Sequence, residues 1–367
     1  MPVTRRMLTI QSRFQSYSVK CFQSLGSALE IDSNSNRFFL IDQNVKNLYP
    51  EAFSSIDERR MLCIEATESQ KTYGSIEPIF MRLLQAGFRK NDALTVIGGG
   101  VLQDIGGFIS SVLFRGISWD FIPTTLLAQC DSCVGSKSSV NIGSYKNQIG
   151  TFYPPRRIHI PFEVLKTLPK DEIRSGLGEM IKLAIIAGEK PFAKLKEQLA
   201  HFKENPAAIE EMVFDALSFK KNYVEEDELD QGIRNLLNYG HTFGHAYESA
   251  TNYEIPHGIA VVLGVLTATY FSQELKLCAK GHFEEIQGFL RQYYIPYQSR
   301  LLKSDRESVF SAMRRDKKNT DNRVHCILTR GLGQMEKVPL EMETQVRPLM
   351  TSFLEKMSEY EASIVSK

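Results

Sequence analysis

Short apolar runs bounded by turn residues alternate with amphipathic stretches along the first part of this chain. Arg37 to Ile41 is an apolar run that ends at Asp42, and Gln43-Asn44 then begin a helix. Met61 to Glu65 repeats the strand pattern, and Leu94 to Ile97 repeats it again. Between them, Ile76 to Gly87 carries Ile79, Phe80, Leu83 and Leu84 at helical spacing, which predicts an amphipathic helix with that apolar stripe. Gly98-Gly99-Gly100 opens a further helix, V-L-Q-D-I-G-G-F-I-S-S-V, and Ser118 to Pro123 reads as another strand. Residues 1–20 form a β-rich entry. Strand, helix, strand, helix, strand predicts a parallel sheet with crossover helices.

After Pro154-Pro155 the pattern changes. Helical periodicity dominates over 171–187, 207–226, 236–250, 257–278, 282–292, 305–314 and 340–362. The expectation is an α/β N-terminal dinucleotide-binding domain over 1–160 and an all-α C-terminal domain over 161–367. A chain of 367 residues is too long for one ordinary core, which agrees with two domains.

Composition works by exclusion. Apolar content of 43% and charged content of 24% are those of an ordinary globular enzyme. With 44 basic against 43 acidic residues, neither nucleic acid nor a charged membrane surface is an expected partner. No run of about 18 apolar residues predicts a membrane span. The start, MPVTRRMLTIQSRFQSYSVK, lacks the apolar region of a signal peptide, so a cytoplasmic location is expected. Six cysteines are no disulfide framework in a chain this long, and Cys130 and Cys133 read as ordinary thiols.

The chemistry concentrates in R-N-L-L-N-Y-G-H-T-F-G-H-A-Y-E, from Arg234, followed shortly by I-P-H-G. Three of the seven histidines fall here. His241 and His245 are four apart, so a helix projects both from one face, and Glu248 continues that face. His257 follows Pro256, where a new helix starts. Two or three imidazoles with one carboxylate make a metal site with an open position. Glu179 lies inside the apolar run L-G-E-M-I-K-L-A-I-I with Lys182 three residues on; a buried carboxylate is costly unless something answers it, and a metal would. In the first half, Asp42 ends a strand where a ribose hydroxyl is often held, and the glycine turn lets backbone N–H groups approach a pyrophosphate. Lys137 and Lys146 stand among small residues in a segment placed in a cleft, where they suit a phosphate.

Together these stretches resemble the dehydroquinate synthase family of sugar phosphate cyclases, from about Asp42 to about Gly333. The motifs that carry the resemblance are G-G-G-V-L-Q-D-I-G-G-F, F-R-G, I-P-T-T-L-L-A-Q-C-D-S, K-S-S-V-N with Y-K-N, S-G-L-G-E-M-I-K, the histidine segment, and R-D-K-K. The resemblance implies an NAD-binding domain, a helical domain, and an active site between them. It implies conversion of 3-deoxy-arabino-heptulosonate 7-phosphate to 3-dehydroquinate and phosphate. The steps would be transient oxidation by NAD, phosphate elimination, reduction and intramolecular aldol closure. It places zinc, with cobalt as the alternative, on Glu179, His241 and His257. His245 becomes a substrate contact, against the helical-pair reading that makes it a ligand. Asp131, Lys137, Lys146, Asn147, Lys182, Lys220, Arg234 and Asn238 fall on substrate and catalytic positions, with one or both of Lys317 and Lys318. Lys221 beside Lys220 leaves that assignment open to exchange. Arg115 matches an arginine that reaches the neighbouring subunit's phosphate site, so a homodimer is implied. The NAD positions are Asp42, Asn44, Glu68, Lys71, Gly99, Gly100, Val101, Asp104, Thr124 and Thr125, shared with Asp131, Lys137 and Lys146.

This chain departs from the family pattern in places. Gly135-Ser136 stands where the family has two glycines before the lysine, and Thr67 stands where a glycine precedes the Glu68 position. The spacing of N-I-G-S-Y-K-N is similar to branches that cyclise sedoheptulose 7-phosphate, and the alternative substrate is that sugar phosphate or another one, of the valiolone or inosose type. Those branches lose the second histidine of G-H-T-x-G-H and the D-K-K lysine; this chain keeps both. The rivals are a sedoheptulose-type cyclase, a metal-dependent polyol dehydrogenase and an inactive binding protein. Intact Glu179, His241, His257 and Lys137 speak against the last.

Overall fold

The computed structural model describes residues 6–30, 36–143, 145–201, 207–315 and 322–365. The apolar runs near the N-terminus become a seven-stranded sheet. In chain order its unit contains β1 (Met7–Ile10), β2 (Tyr17–Phe22), α1 (Leu25–Leu29), β3 (Arg37–Asp42), α2 (Gln43–Leu48), β4 (Met61–Ile64) and α3 (Tyr73–Gln85). Then follow β5 (Ala93–Gly98), α4 (Gly100–Val112), β6 (Ser118–Pro123), β7 (Lys137–Ile142), β8 (Tyr145–Phe152) and β9 (Arg157–Pro161). The strand order is β1-β2-β9-β6-β5-β3-β4. Every neighbouring pair is parallel except β1 with β2. All six residues of β5 are buried, as expected of a strand covered on both faces. Gly106 of α4 allows that cover: a Cβ there would lie 2.4 Å from Val96.

The chain continues through α5 (Lys170–Ala187), α6 (Glu189–Ala200), α7 (Ala207–Glu226), α8 (His241–Ala250), α9 (His257–Glu274), α10 (His282–Lys303) and α11 (Arg306–Arg315). It ends with β10 (Arg323–Gly331), β11 (Gln334–Glu341) and α12 (Arg347–Val365). Two compact units result, one of Met1–Ile173 with Ile209–Leu229, the other of Arg174–Ala208 with Asp230–Lys367. In the second, α9 is buried continuously from Gly258 to Ser272, and the other helices of that unit wrap a stretch that is apolar on all sides. Among the described residues no helix is long and apolar enough to cross a membrane.

Several expectations change. The segment expected to lie in a cleft, to which no strand was assigned, contains the antiparallel hairpin β7–β8. The helix expected over 340–362 begins with a π-helical turn at Met342–Val346 and continues as α12, and ahead of it β10 and β11 pair as a hairpin about Gly331 and Gly333, both at positive φ. The second unit is therefore helical with one hairpin. The helix expected from 236 begins at His241, after the left-handed Gly240 at φ 81°. On α3 the buried stripe is Ile76, Ile79 and Leu83, and Leu84 is exposed. Cys130 and Cys133 are buried.

Candidate active site

Close helix crossings bring the metal candidates together. Gly178 of α5 faces Gly258 of α9; a Cβ on Gly258 would lie 1.8 Å from the Ser175 carbonyl oxygen. The Gly258 N–H donates to Ser175 Oγ at 2.9 Å. Glu179 and His257 are the next residues on either side of this contact, so the backbones' approach sets where both side chains meet. Helix α8 crosses α9 in the same way, with Gly264 packed on the Gly240 carbonyl.

There Glu179 is 1% exposed and Lys182 2%. Lys182 Nζ lies 2.5 Å from Glu179 Oε2. Glu179 Oε1 lies 3.2 Å from His257 Nε2 and 3.7 Å from His241 Nε2. These are ion-pair contacts, and neither carboxylate oxygen receives a well-directed hydrogen bond. Burial alone would raise the Glu179 carboxyl, but the Lys182 and His257 charges hold it below the usual carboxylate range. Burial likewise opposes charge on His257, yet the carboxylates of Glu248 and Glu179 push its pKa up to about 10. His257 Nδ1 donates to Glu248 Oε2 at 3.1 Å. The imidazoles of His241, His245 and His257 present nitrogens within 4.8 Å of one another. This donor set fits a divalent cation: a buried carboxylate, ion-paired to Lys182 through Oε2, turns Oε1 towards two imidazole nitrogens. His245 is exposed beside them.

In the same unit Arg234 is buried in the short turn Ile233–Asn238. Asn238 Nδ2 donates to the Asn235 carbonyl at 3.0 Å, and Asn235 Nδ2 to the Asp230 carbonyl at 2.9 Å. Lys317 and Lys318 lie outside the described residues.

In the first unit the strand register levels three turns. Ile41 pairs with Ile97 and Gly98 with Pro123, so Asp42, the glycine turn and Thr124-Thr125 share the carboxyl edge of β3, β5 and β6. That edge is where doubly wound sheets hold ligands. Gly99 precedes α4 with no side-chain cap, and a Cβ on it would lie 2.8 Å from Thr125 Cγ2. The closed-in turn, with α4 N–H groups of Gly100 and Val101 behind it, fits a dinucleotide pyrophosphate. Asp42 caps α2 by accepting from the Asn44 N–H at 2.9 Å, and burial raises its carboxyl above the ordinary value.

Lys71 Nζ lies 2.8 Å from Asp104 Oδ2, and the Ser139 N–H donates to Asp104 Oδ1 at 2.9 Å. Burial pushes the Asp104 carboxyl up, with Lys71 and Ser139 opposing. Glu68 accepts from Asn141 Nδ2 at 2.9 Å and lies 3.7 Å from Lys146 Nζ. Asn147, at φ 54°, donates its N–H to Asn141 Oδ1 at 2.9 Å. So Glu68, Lys71, Asp104, Lys146 and Asn147 are brought together around the tip of the β7–β8 hairpin. Lys137 starts β7 at the base of the hairpin, where it pairs with Phe152. Lys220 Nζ lies 2.9 Å from Asp131 Oδ1 and donates to the Asp131 carbonyl at 2.7 Å. Lys221 instead lies 3.7 Å from Glu225 on the same helix. Arg115 is exposed on a turn left-handed at Phe114, Arg115 and Gly116; Lys90 Nζ donates to the Phe114 carbonyl at 2.7 Å and also to the Gly116 carbonyl.

Sequence reasoning missed Ser175 and Lys90, and it missed Glu228, which accepts from the Ser136 hydroxyl at 2.6 Å. No spacing signal pointed to them.

Profiles of the 3-dehydroquinate synthase N-terminal and C-terminal domains match residues 61–175 and 176–319. The 3-dehydroquinate synthase of Streptococcus equi subsp. equi (strain 4047) is 34% identical over 330 residues, 88% of this chain and 91% of that protein. That of Pelagibacter ubique (strain HTCC1062) is 37% identical over 302 residues, 80% and 82% of the two chains. In fold, the chain is similar to 2-deoxy-scyllo-inosose synthase complexed with carbaglucose-6-phosphate, NAD+ and Co2+, with a TM-score of 0.81, 22% identity and coverage of 96% and 100%. It is similar also to 2-epi-5-epi-valiolone synthase from Streptomyces hygroscopicus subsp. jinggangensis 5008 with NAD+ and Zn2+ bound, with a TM-score of 0.82, 23% identity and coverage of 94% and 99%. Matched along both halves at this level of identity, the chain belongs to the 3-dehydroquinate synthase family.

Proposed function

We propose, with that membership as the premise, that this enzyme converts 3-deoxy-arabino-heptulosonate 7-phosphate to 3-dehydroquinate and inorganic phosphate, using NAD and zinc, with cobalt as the alternative metal. The observation that carries the proposal is the buried Glu179 carboxylate, whose Oε1 lies 3.2 Å from His257 Nε2 and 3.7 Å from His241 Nε2. When bound, zinc supplies a Lewis acid that acidifies a ring hydroxyl, as bound metals lower the pKa of water from about 15.7 to about 7. When bound, NAD supplies a hydride acceptor that later returns the hydride, so the reaction has no net redox change.

The chain's own residues do the rest. Lys182 keeps Glu179 ionised and therefore able to act as a ligand. Glu248 holds the Nδ1–H of His257, which fixes the ring and leaves Nε2 on the side of Glu179. His245, exposed beside this pair, contacts substrate. The guanidinium of Arg234 suits the substrate carboxylate as a bidentate fork, with Asn238 on the same turn. Lys137 neutralises the departing phosphate, whose own oxygens take the proton beside the transient ketone. Asp131 fixes the Lys220 ammonium, which anchors substrate. Lys146 and Asn147, tied to Glu68, serve the cofactor side with Lys71 and Asp104. Exposed Arg115, on its rigid turn, suits a phosphate held by a second copy, and the assembly we propose is a homodimer. Holding one substrate through several steps is chiefly positioning, so losing an anchor slows more than one of them.

Arg234→Ala tests the substrate class. The expected outcome is a KM raised roughly 100-fold or more for the keto-acid substrate, with little change for an analogue lacking the carboxylate; a lost charge-assisted pair is worth about 2–5 kcal/mol. Equal weakening of both would favour a sedoheptulose-type substrate.

A further inference from the structure

Lys137 follows a turn whose backbone is left-handed at two successive residues, Gly135 at φ 132° and Ser136 at φ 63°. Glycine adopts such angles freely, whereas the Cβ of serine opposes them. Something must hold Ser136 there. Its side chain is buried, and its hydroxyl donates to Glu228 Oε1 at 2.6 Å. The Glu228 carboxylate cannot drift to follow a relaxing turn, because it is itself anchored. Oε1 also accepts from the Ser12 hydroxyl at 2.7 Å, and Oε2 accepts from the Arg13 N–H at 2.7 Å. Backbone bonds flank the turn on both sides: the Gly135 N–H donates to the Tyr17 hydroxyl at 3.2 Å, and the Tyr153 N–H donates to the Ser136 carbonyl at 2.7 Å. Glu228 lies two residues beyond α7, the helix that carries Lys220 to Asp131.

We propose that Glu228 is a positioning residue for Lys137. By holding the Ser136 hydroxyl it keeps the turn left-handed, and so sets where β7 begins and where the lysine ammonium stands. A hydroxyl bonded to a carboxylate is among the stronger hydrogen bonds, which suits it to hold a backbone against its preference. This account also gives a physical reason for the departure at position 136. A chain with glycine there would not need the acceptor; a chain with serine does. The proposal rests on the assignment of Lys137 to the substrate phosphate.

Steady-state kinetics of the holoenzyme on the sugar phosphate, with inorganic phosphate as inhibitor, test it. The variants are Lys137→Ala, Ser136→Ala, Glu228→Ala and the double variant Glu228→Ala with Ser136→Gly. Lys137→Ala is expected to raise the KM and the inhibition constant of phosphate most. Ser136→Ala and Glu228→Ala are expected to raise both by roughly tenfold, as one strained residue released into another backbone region implies, with kcat changed less. The glycine of the double variant is expected to restore most of the loss, because glycine takes the turn without the bond. Both Glu228 variants lose the Ser12 and Arg13 bonds alike, so thermal unfolding run in parallel separates stability from position. If Glu228→Ala does not fold, Ser136→Ala decides alone. A native KM and inhibition constant in Ser136→Ala, beside a raised pair in Lys137→Ala, would overturn the positioning role and leave the phosphate assignment standing. A Glu228→Ala defect that glycine does not reduce would overturn it equally. Native values in Lys137→Ala would remove the phosphate assignment and the proposal with it.

Discussion

Glu248 illustrates how one residue away from the metal donors sets their behaviour. Its carboxylate holds the Nδ1 side of His257 at 3.1 Å. Partners of this kind orient metal-ligating imidazoles, and losing one typically costs 10–100-fold in metal affinity, so Glu248→Ala is expected to weaken zinc binding by about that factor. Chelator competition measures it; unchanged affinity would mean that His257 is oriented by something else. Lys220 and Lys221 pose a different question. Adjacent residues on a helix point about 100° apart, and sequence alone did not say which faces inward. Packing does: Lys220 is 7% exposed against Asp131, while Lys221 lies near the surface by Glu225. Lys220→Met is expected to lower kcat/KM by 100-fold or more, since a lost charge-assisted contact to substrate is worth about 2–5 kcal/mol. Lys221→Met is expected to stay within about threefold, as surface substitutions do. His159, away from any proposed chemistry, reports on the sheet. Burial pushes its pKa down to about 4, and its Nε2 has no partner to receive a proton's charge. The unfolded chain therefore binds more protons than the folded one between about pH 4 and pH 6.5. The stability contribution is full above 6.5 and is lost as pH falls towards 4, by up to roughly 3 kcal/mol. Thermal unfolding across that range is expected to show a shallower pH slope for His159→Gln than for the native chain; equal slopes would contradict the assignment.

At the scale of elements, Glu179, His241 and His257 come together because α5, α8 and α9 approach at glycines. Gly258→Ala puts a methyl 1.8 Å from the Ser175 carbonyl oxygen, so the helices must part. Zinc affinity is expected to fall at least 100-fold, since Glu179 and His257 separate with the backbones. Circular dichroism is expected to keep its helical content, and retained zinc affinity would show that the crossing tolerates the methyl. Helices 170–187 and 207–226 were legible because their apolar positions recur with helical period. The crossings were not: a glycine within an apolar run looks the same whether or not another backbone lies on it. The β7–β8 hairpin hid for a related reason: β7 buries Ser138, Val140 and Asn141, of which only the valine is apolar, and no residue of β8 is fully buried, so neither strand shows an apolar alternation. The β10–β11 hairpin had a signal in G-L-G between two apolar stretches, outweighed by the helical spacing read further on.

At the scale of the molecule, order along the chain conceals the grouping in space. Ile209–Leu229 belongs to the first compact unit although helices of the second unit flank it in sequence. That return places Lys220 against Asp131 and Glu228 against Ser136, pairings separated by about ninety residues that no local pattern announces. The buried acid Glu179 and the clustered imidazoles stood out by residue type and order; the contacts between them, and the hydrogen bond between His257 and Glu248, did not. The measurement that tests the central claim most directly is the fate of 3-deoxy-arabino-heptulosonate 7-phosphate with zinc-loaded enzyme and substoichiometric NAD. Identification of the carbocycle, a phosphate assay and absorbance at the NADH band are read on the same sample. The expected result is one phosphate and one 3-dehydroquinate per substrate consumed, with NAD undiminished at the end. Stoichiometric NADH without phosphate release would contradict it and identify a dehydrogenase, and turnover of sedoheptulose 7-phosphate alone would contradict the substrate.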